Sequence, residues 1–134
     1  MNSNPSSNPP TYCRGVRGAI TAEANTPEAI LAATCELLTA MIAANQIDPA
    51  DVGSVIMTTT VDLNAEYPAA AARKLGWVDV AILCAHEIAV PRGLGKCIRI
   101  LLLWNTPRTA QEIQHVYIGA AQALRPDRAR QTLA

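Results

Sequence analysis

The sequence predicts an α/β (α+β) domain, a mixed β-sheet carrying its helices on one face. Strand-like and helix-like apolar patterns alternate along the chain in the order β-α-β-α-β-β-(short α)-β, which signals helices layered on a sheet. Thr26-Pro27-Glu28 opens a long amphipathic helix, and a late pair of strand patterns follows without a helix between them. At 134 residues the chain is read as one domain with a real hydrophobic core.

Residues 1–11 are mostly Ser, Asn and Pro, a composition that cannot pack a core, and are expected to be a disordered tail before a domain at 12–127. Small and β-branched residues from Tyr12 to about Ala24 suggest a first strand, with Gly15 and Gly18 marking a bulge or a close approach. Thr26 is the N-cap of the next helix, Pro27 its first residue and Glu28 an acid in its first turn. Ile30, Leu31, Thr34, Leu37, Leu38, Met41 and Ile42 then form a stripe for the sheet, ending near Asn45. Asp48 to Asp51 is a turn or a single helical turn.

Val52 to Thr60 reads as a strand, 61–64 as a loop, and Tyr67 to Leu75 as a short Ala-rich helix stopped by Gly76. A third strand is expected over Val78 to Cys84 and a loop over Pro91 to Gly95, followed by the strand from Cys97 to Trp104. A short helix falls within 106–113, a last strand over His115 to Ala121, and a mobile tail over 128–134.

Composition excludes several classes of function. Half the residues are hydrophobic, 16% are charged, and eleven basic residues balance eleven acidic ones. Disorder and nucleic-acid binding, which favour high charge or a basic stripe, are not expected. No window approaches a membrane span and no apolar signal core opens the chain, so a cytoplasmic protein is the expectation. Cys13, Cys35, Cys84 and Cys97 lack CxxC spacing and read as small buried thiols of a reducing compartment. With His86 and His115 isolated, no metal site is expected. The low charge also leaves apolar surface that self-association would bury.

One guanidinium stands inside the apolar run Cys97-Ile98-Arg99-Ile100-Leu101-Leu102-Leu103-Trp104. Alternation puts Ile98, Ile100, Leu102 and Trp104 on one face and Cys97, Arg99, Leu101 and Leu103 on the other. Arg99 is then either a surface residue or a pocket residue compensated by an anion. Glu87 is the only acid between Asp79 and Glu112, an ordinary strand-end carboxylate or an acceptor in the same pocket. Arg14 and Arg17 lie on opposite faces of their strand, so at most one shares it. Tyr117 sits in the last strand, where a buried hydroxyl needs a partner. Arg125-Pro126 sets an extended exit. No nucleophile–base pair and no glycine-rich phosphate loop is visible. Arginines, one tyrosine and one glutamate suit a small dianion whose charge they stabilise without covalent chemistry.

Together these residues resemble the monofunctional AroH-class chorismate mutases of bacteria. The resemblance runs from about Cys13 to Asp127 through RGVRGA (14–19), TTVDLNAEYPAAAAR (59–73), GW (76–77), CAHE (84–87), GLGKCIRI (93–100) and HVYIGAAQALRPD (115–127). It implies a homotrimeric pseudo-α/β-barrel with active sites between subunits. It also implies the rearrangement of chorismate to prephenate on the way to phenylalanine and tyrosine, with no cofactor or metal.

By position, the resemblance gives Arg99 the substrate's ether oxygen, Glu87 its ring hydroxyl, and Arg17 and Tyr117 its carboxylate. Leu83, Cys84, Ala85 and His86 form a pocket wall, while Tyr67, Arg73 and Leu124-Arg125 match the part supplied across the interface. Tyr67 replaces a frequent Phe, Ala70 a lysine at the pocket mouth of some members, and Val61 a common proline. The expected Arg99 is fixed and dry. The competing class is a non-catalytic trimeric module that binds a small anion or a partner protein.

Overall fold

The computed structural model describes residues 9–125. Most of the expected N-terminal tail and all of the C-terminal one lie outside them. Five strands form one mixed sheet: β1 (Tyr12–Thr21), β2 (Val52–Thr59), β3 (Ala81–His86), β4 (Cys97–Thr106) and β5 (Val116–Tyr117). Their order is β3-β2-β4-β1-β5. β4 runs antiparallel to β1 and β2, while β3 and β5 extend the edges in parallel.

Helix α1 (Pro27–Asn45) and the short α2 (Ala69–Lys74) complete the main elements. Thr26 Oγ1 accepts the Ala29 N–H at 3.1 Å, and Gln46 ends α1 in the left-handed conformation. Ile30, Leu37, Leu38 and Met41 of α1 are fully buried in one core with Ile98, Ile100 and Leu102 of β4. Leu31 and Ile42 of the expected stripe are only partly buried, and Ala33 and Ala40 are buried instead. By length and composition α1 could cross a membrane, contrary to the expectation that no window approaches a span. It is the core helix of this sheet, with Glu28 and Glu36 on its outer side.

The β1–β4 register passes both glycines without a break, so neither marks a bulge. Gly18 is a close approach: a Cβ there would come within 2.5 Å of Met41 Sδ and 3.0 Å of Leu37 Cδ1. The ladder irregularity lies between Val52 and Ser54. The expectation of buried thiols is met only at Cys97, Cys13 being exposed and Cys35 and Cys84 partly buried.

Three boundaries differ from expectation. β3 begins at Ala81 because Gly76, at φ +86°, turns the chain after α2 and Trp77 anchors the connection in the core. The expected last strand shortens to two residues because Gly119, at φ +63°, diverts the chain into a 3₁₀ turn over Gly119–Leu124. The short helix within 106–113 is a 3₁₀ turn, Ala110–Glu112, closed by Thr109 N–H donating to Glu112 Oε1 at 2.7 Å.

Asn45 stitches the end of α1 to the segment before β5. It is buried, donates to Gln114 O at 2.9 Å and accepts the Gln114 N–H at 2.8 Å. Next along the chain, His115 Nδ1 accepts the Arg17 backbone N–H at 2.9 Å, which fixes its neutral tautomer with the proton on Nε2.

Candidate active site

Among the described residues the helices cover one face of the sheet and leave the other open in a single chain. On β4, Ile98, Ile100, Leu102 and Trp104 are buried on the helix side, while Arg99 and Leu101 emerge on the other. Register carries the open face across the sheet: Arg99 lies opposite Ala19 and Thr58, Leu101 opposite Arg17 and Ile56, and Ile56 opposite Leu83. Arg14 belongs to the other parity, its Nε donating to Arg108 O at 3.0 Å. It therefore shares nothing with Arg17, as strand alternation requires.

This face holds a concavity of about 290 Å³ that gathers Arg17, Thr58, Glu87, Arg99, Tyr117, Leu124 and Arg125. Arg99 Nε stands 3.6 Å from Glu87 Oε2. Thr58 Oγ1 donates to the same oxygen, and the Glu87 backbone N–H donates to Thr59 O at 2.8 Å. Behind them Tyr117, Cys97, Ala19 and Ala121 form a small buried cluster, with Leu94 and Leu124 packed on it. Burial pushes the Cys97 thiol up from its ordinary range, and the neighbouring Arg99 charge opposes that shift.

The Arg99 side chain is 48% exposed. The expected fixed, dry guanidinium is therefore not provided by the described residues of one chain, among which no layer covers this face.

The anticipated site residues divide. Arg17, Glu87, Arg99 and Tyr117 come together, and Leu124 and Arg125 join them on the same chain rather than facing them from outside. Tyr67, Cys84, Ala85 and His86 line a second concavity along β3 and the loop before α2. Cys84 pairs with Met57 on the helix-side parity, so it is no wall of the Arg99 concavity within one chain. There His86 Nδ1 lies 3.0 Å from Thr59 Oγ1, whose hydroxyl donates to Leu63 O at 3.1 Å; the imidazole is therefore the donor of that pair. Leu83 is exposed on the open face, and Arg73 is exposed on α2 and lines neither concavity.

The sequence assigns no individual role to the side chains of 58–62, although three consecutive threonines in a β-rich run are visible there. The stretch clasps both ends of the segment from Glu87 to Lys96. Beyond the Thr58 and Thr59 bonds to Glu87, Thr60 Oγ1 accepts the Cys97 N–H at 3.0 Å and donates to Asp62 Oδ1 at 2.5 Å. Asp62 Oδ2 accepts the Lys96 N–H at 2.9 Å, which holds Lys96 at φ +50°. The Thr60 hydroxyl is the main cause that keeps the Asp62 carboxyl below its usual range; desolvation opposes it less strongly, and the Lys96 N–H adds a smaller lowering. Asn25 also went unnoticed; its Oδ1 accepts the Asn64 and Ala65 N–H groups at 3.0 Å each, fixing the approach to Tyr67.

Comparison with known proteins places this geometry in a family. The family model described as chorismate mutase type I matches residues 13–128. Chorismate mutase AroH of Thermus thermophilus is 49% identical over 115 residues, covering 85% of this chain and 94% of that protein. The Bacillus subtilis (strain 168) protein of the same name is 43% identical over 115 residues, covering 85% and 91%. The solved structure of a chorismate mutase from Clostridium thermocellum superposes with a TM-score of 0.80 at 42% identity, over 81% of this chain and 97% of that one. With most of both chains matched at this identity, the protein belongs to the type I chorismate mutase family.

Proposed function

We propose that the chain rearranges chorismate to prephenate, in phenylalanine and tyrosine biosynthesis, at clefts between the subunits of a homotrimeric pseudo-α/β-barrel in the cytoplasm. The observation that carries the site reading is the Arg99 concavity, where among the described residues Glu87 is the one acid beside three arginines and a tyrosine. Its location supports assembly. Leu83 is 65% exposed, and Ile56 and Leu101 stand beside it on the uncovered sheet face. A second copy seated there would bury these side chains and exclude water from Arg99.

In the rearrangement one C–O bond breaks as one C–C bond forms, and no proton moves. The protein must hold a flexible dianion in its compact chair conformer and stabilise charge growing on the ether oxygen. Arg17 and Arg125 supply cations for the carboxylates, with the Tyr117 hydroxyl as a further donor. Glu87 accepts the ring hydroxyl, and Arg99 donates to the ether oxygen. Its planar fork gains strength as the bond breaks, the differential binding that lowers a barrier.

Tyr67 and Arg73, which the chain's own Arg99 concavity does not contain, come from the neighbouring subunit, as does the wall of Leu83, Cys84, Ala85 and His86. The test is purified protein with chorismate, following loss of its ultraviolet absorbance and identifying prephenate. Turnover supports the assignment. Tight binding without turnover refutes it in favour of an anion-binding module.

A further inference from the structure

Among the residues of β2, Thr58 is the polar side chain that reaches the Arg99 concavity. It lies opposite Arg99 in the β2–β4 register, and its hydroxyl donates to Glu87 Oε2. That same oxygen faces Arg99 Nε at 3.6 Å, longer than a hydrogen bond. Among the described residues Glu87 Oε1 has no donor.

An unopposed arginine and carboxylate at this range close into a fork with two short parallel bonds. Such closure would occupy both carboxylate oxygens and one edge of the guanidinium. The Thr58 hydroxyl competes for Oε2 from a strand, and a β-branched side chain on a strand is stiff at χ1. Glu87 is further restrained by its backbone bond to Thr59.

We propose that Thr58 is a positioning residue for the rearrangement: its hydroxyl holds Glu87 by Oε2, keeps the Glu87–Arg99 pair from closing, and leaves Oε1 and the guanidinium fork available to the ligand. This rests on the reading of the concavity as the active site. It adds a residue that touches the chemistry only through Glu87 and Arg99. Because carboxylate anchoring by Arg17 and Arg125 is untouched, losing the hydroxyl weakens an interaction that grows in the transition state. The loss therefore falls on kcat rather than KM.

The test compares Thr58→Val, which keeps the branched shape without the hydroxyl, with Thr58→Ser, which keeps the hydroxyl, and runs Arg99→Ala beside them. Thr58→Val is expected to lower kcat roughly ten- to a hundredfold, the range for one hydrogen bond to a charged group, with KM within about threefold. Thr58→Ser should restore kcat to within about threefold of the parent. Both should keep the parent melting temperature. Should Thr58→Val not fold, Thr58→Ala against Thr58→Ser gives the same contrast. Wild-type kcat in the hydroxyl-free variant, with Arg99→Ala inactive, overturns the Thr58 role and leaves the site reading intact. Serine as poor as valine, or a loss confined to KM, also overturns it. An active Arg99→Ala overturns the site reading itself.

Discussion

Replacing Arg99 by alanine separates catalysis from stability unusually well in this chain. Within one chain the side chain is about half exposed and makes its ion pair at 3.6 Å, so its contribution to the subunit's own fold is that of a surface pair, ~0–1 kcal/mol before screening. No core volume is lost, since the neighbouring Ile98 and Ile100 face the helices. The melting temperature of Arg99→Ala should stay within a few degrees of the parent, roughly what 0.5 kcal/mol or less produces in a domain of this size. Turnover should behave differently. One donor aimed at a developing oxyanion is worth ~3–4 kcal/mol, or about a hundred- to a thousandfold in kcat. Arg99→Lys keeps the charge but not the fork and should recover only a minor part of the loss. Chorismate disappearance, thermal unfolding and sedimentation on the same preparations decide the matter. Kcat within about threefold of the parent would refute the charge-stabilisation argument. So would a fall in activity matched by a fall in melting temperature.

Gly18→Ala should cost about 1–3 kcal/mol, because its Cβ would meet Met41 and Leu37 of a fully packed helix; coupling to Met41→Ala in a double-mutant cycle of denaturant unfolding checks this. Asn45→Ala removes both Asn45 bonds to the Gln114 backbone and should lose roughly 2–4 kcal/mol by the same measurement. The Asp62 carboxyl is held below its usual range, so its stabilisation is complete above the ordinary carboxylate range and disappears as pH falls through the lower folded value. Thermal melts against pH should therefore show a shallower acid-side decline for Asp62→Asn than for the parent. Leu83→Asp, on the uncovered face, should leave the single chain folded by circular dichroism while sedimentation shows subunits and chorismate turnover is lost; an active assembly of this variant would contradict the proposed interface.

Local chemistry made much of the architecture legible. Thr26-Pro27-Glu28 and the apolar spacing located α1 because capping and periodicity act within a few residues, and strand alternation assigned both faces of β4 and separated Arg14 from Arg17. The missed boundaries at β3 and β5 follow positive-φ glycines, whose conformations depend on what packs around the turn. The exposure of Arg99 in one chain is not legible for a related reason: an apolar sequence run does not say whether the layer that covers it belongs to the same chain. The bonding roles of Thr58, Thr60, Asp62 and Asn25 are not legible because their partners lie 29 to 40 residues away, and pairings over such separations leave no periodic trace.

The clasp on 58–62 has a consequence for how this enzyme can vary. Glu87 and Lys96 are each fastened to it independently, so the residues between them are a loop with fixed ends, and Ile88 is 88% exposed among the described residues. Doubling the length of such a loop costs only ~0.6 kcal/mol in closure entropy. Insertions or deletions between Ile88 and Gly93, short of Leu94 on the Tyr117 cluster, can accumulate without moving Glu87 or the start of β4. The segment is a place where relatives can differ in length, and where a tag or a new recognition element can be grafted next to a working site.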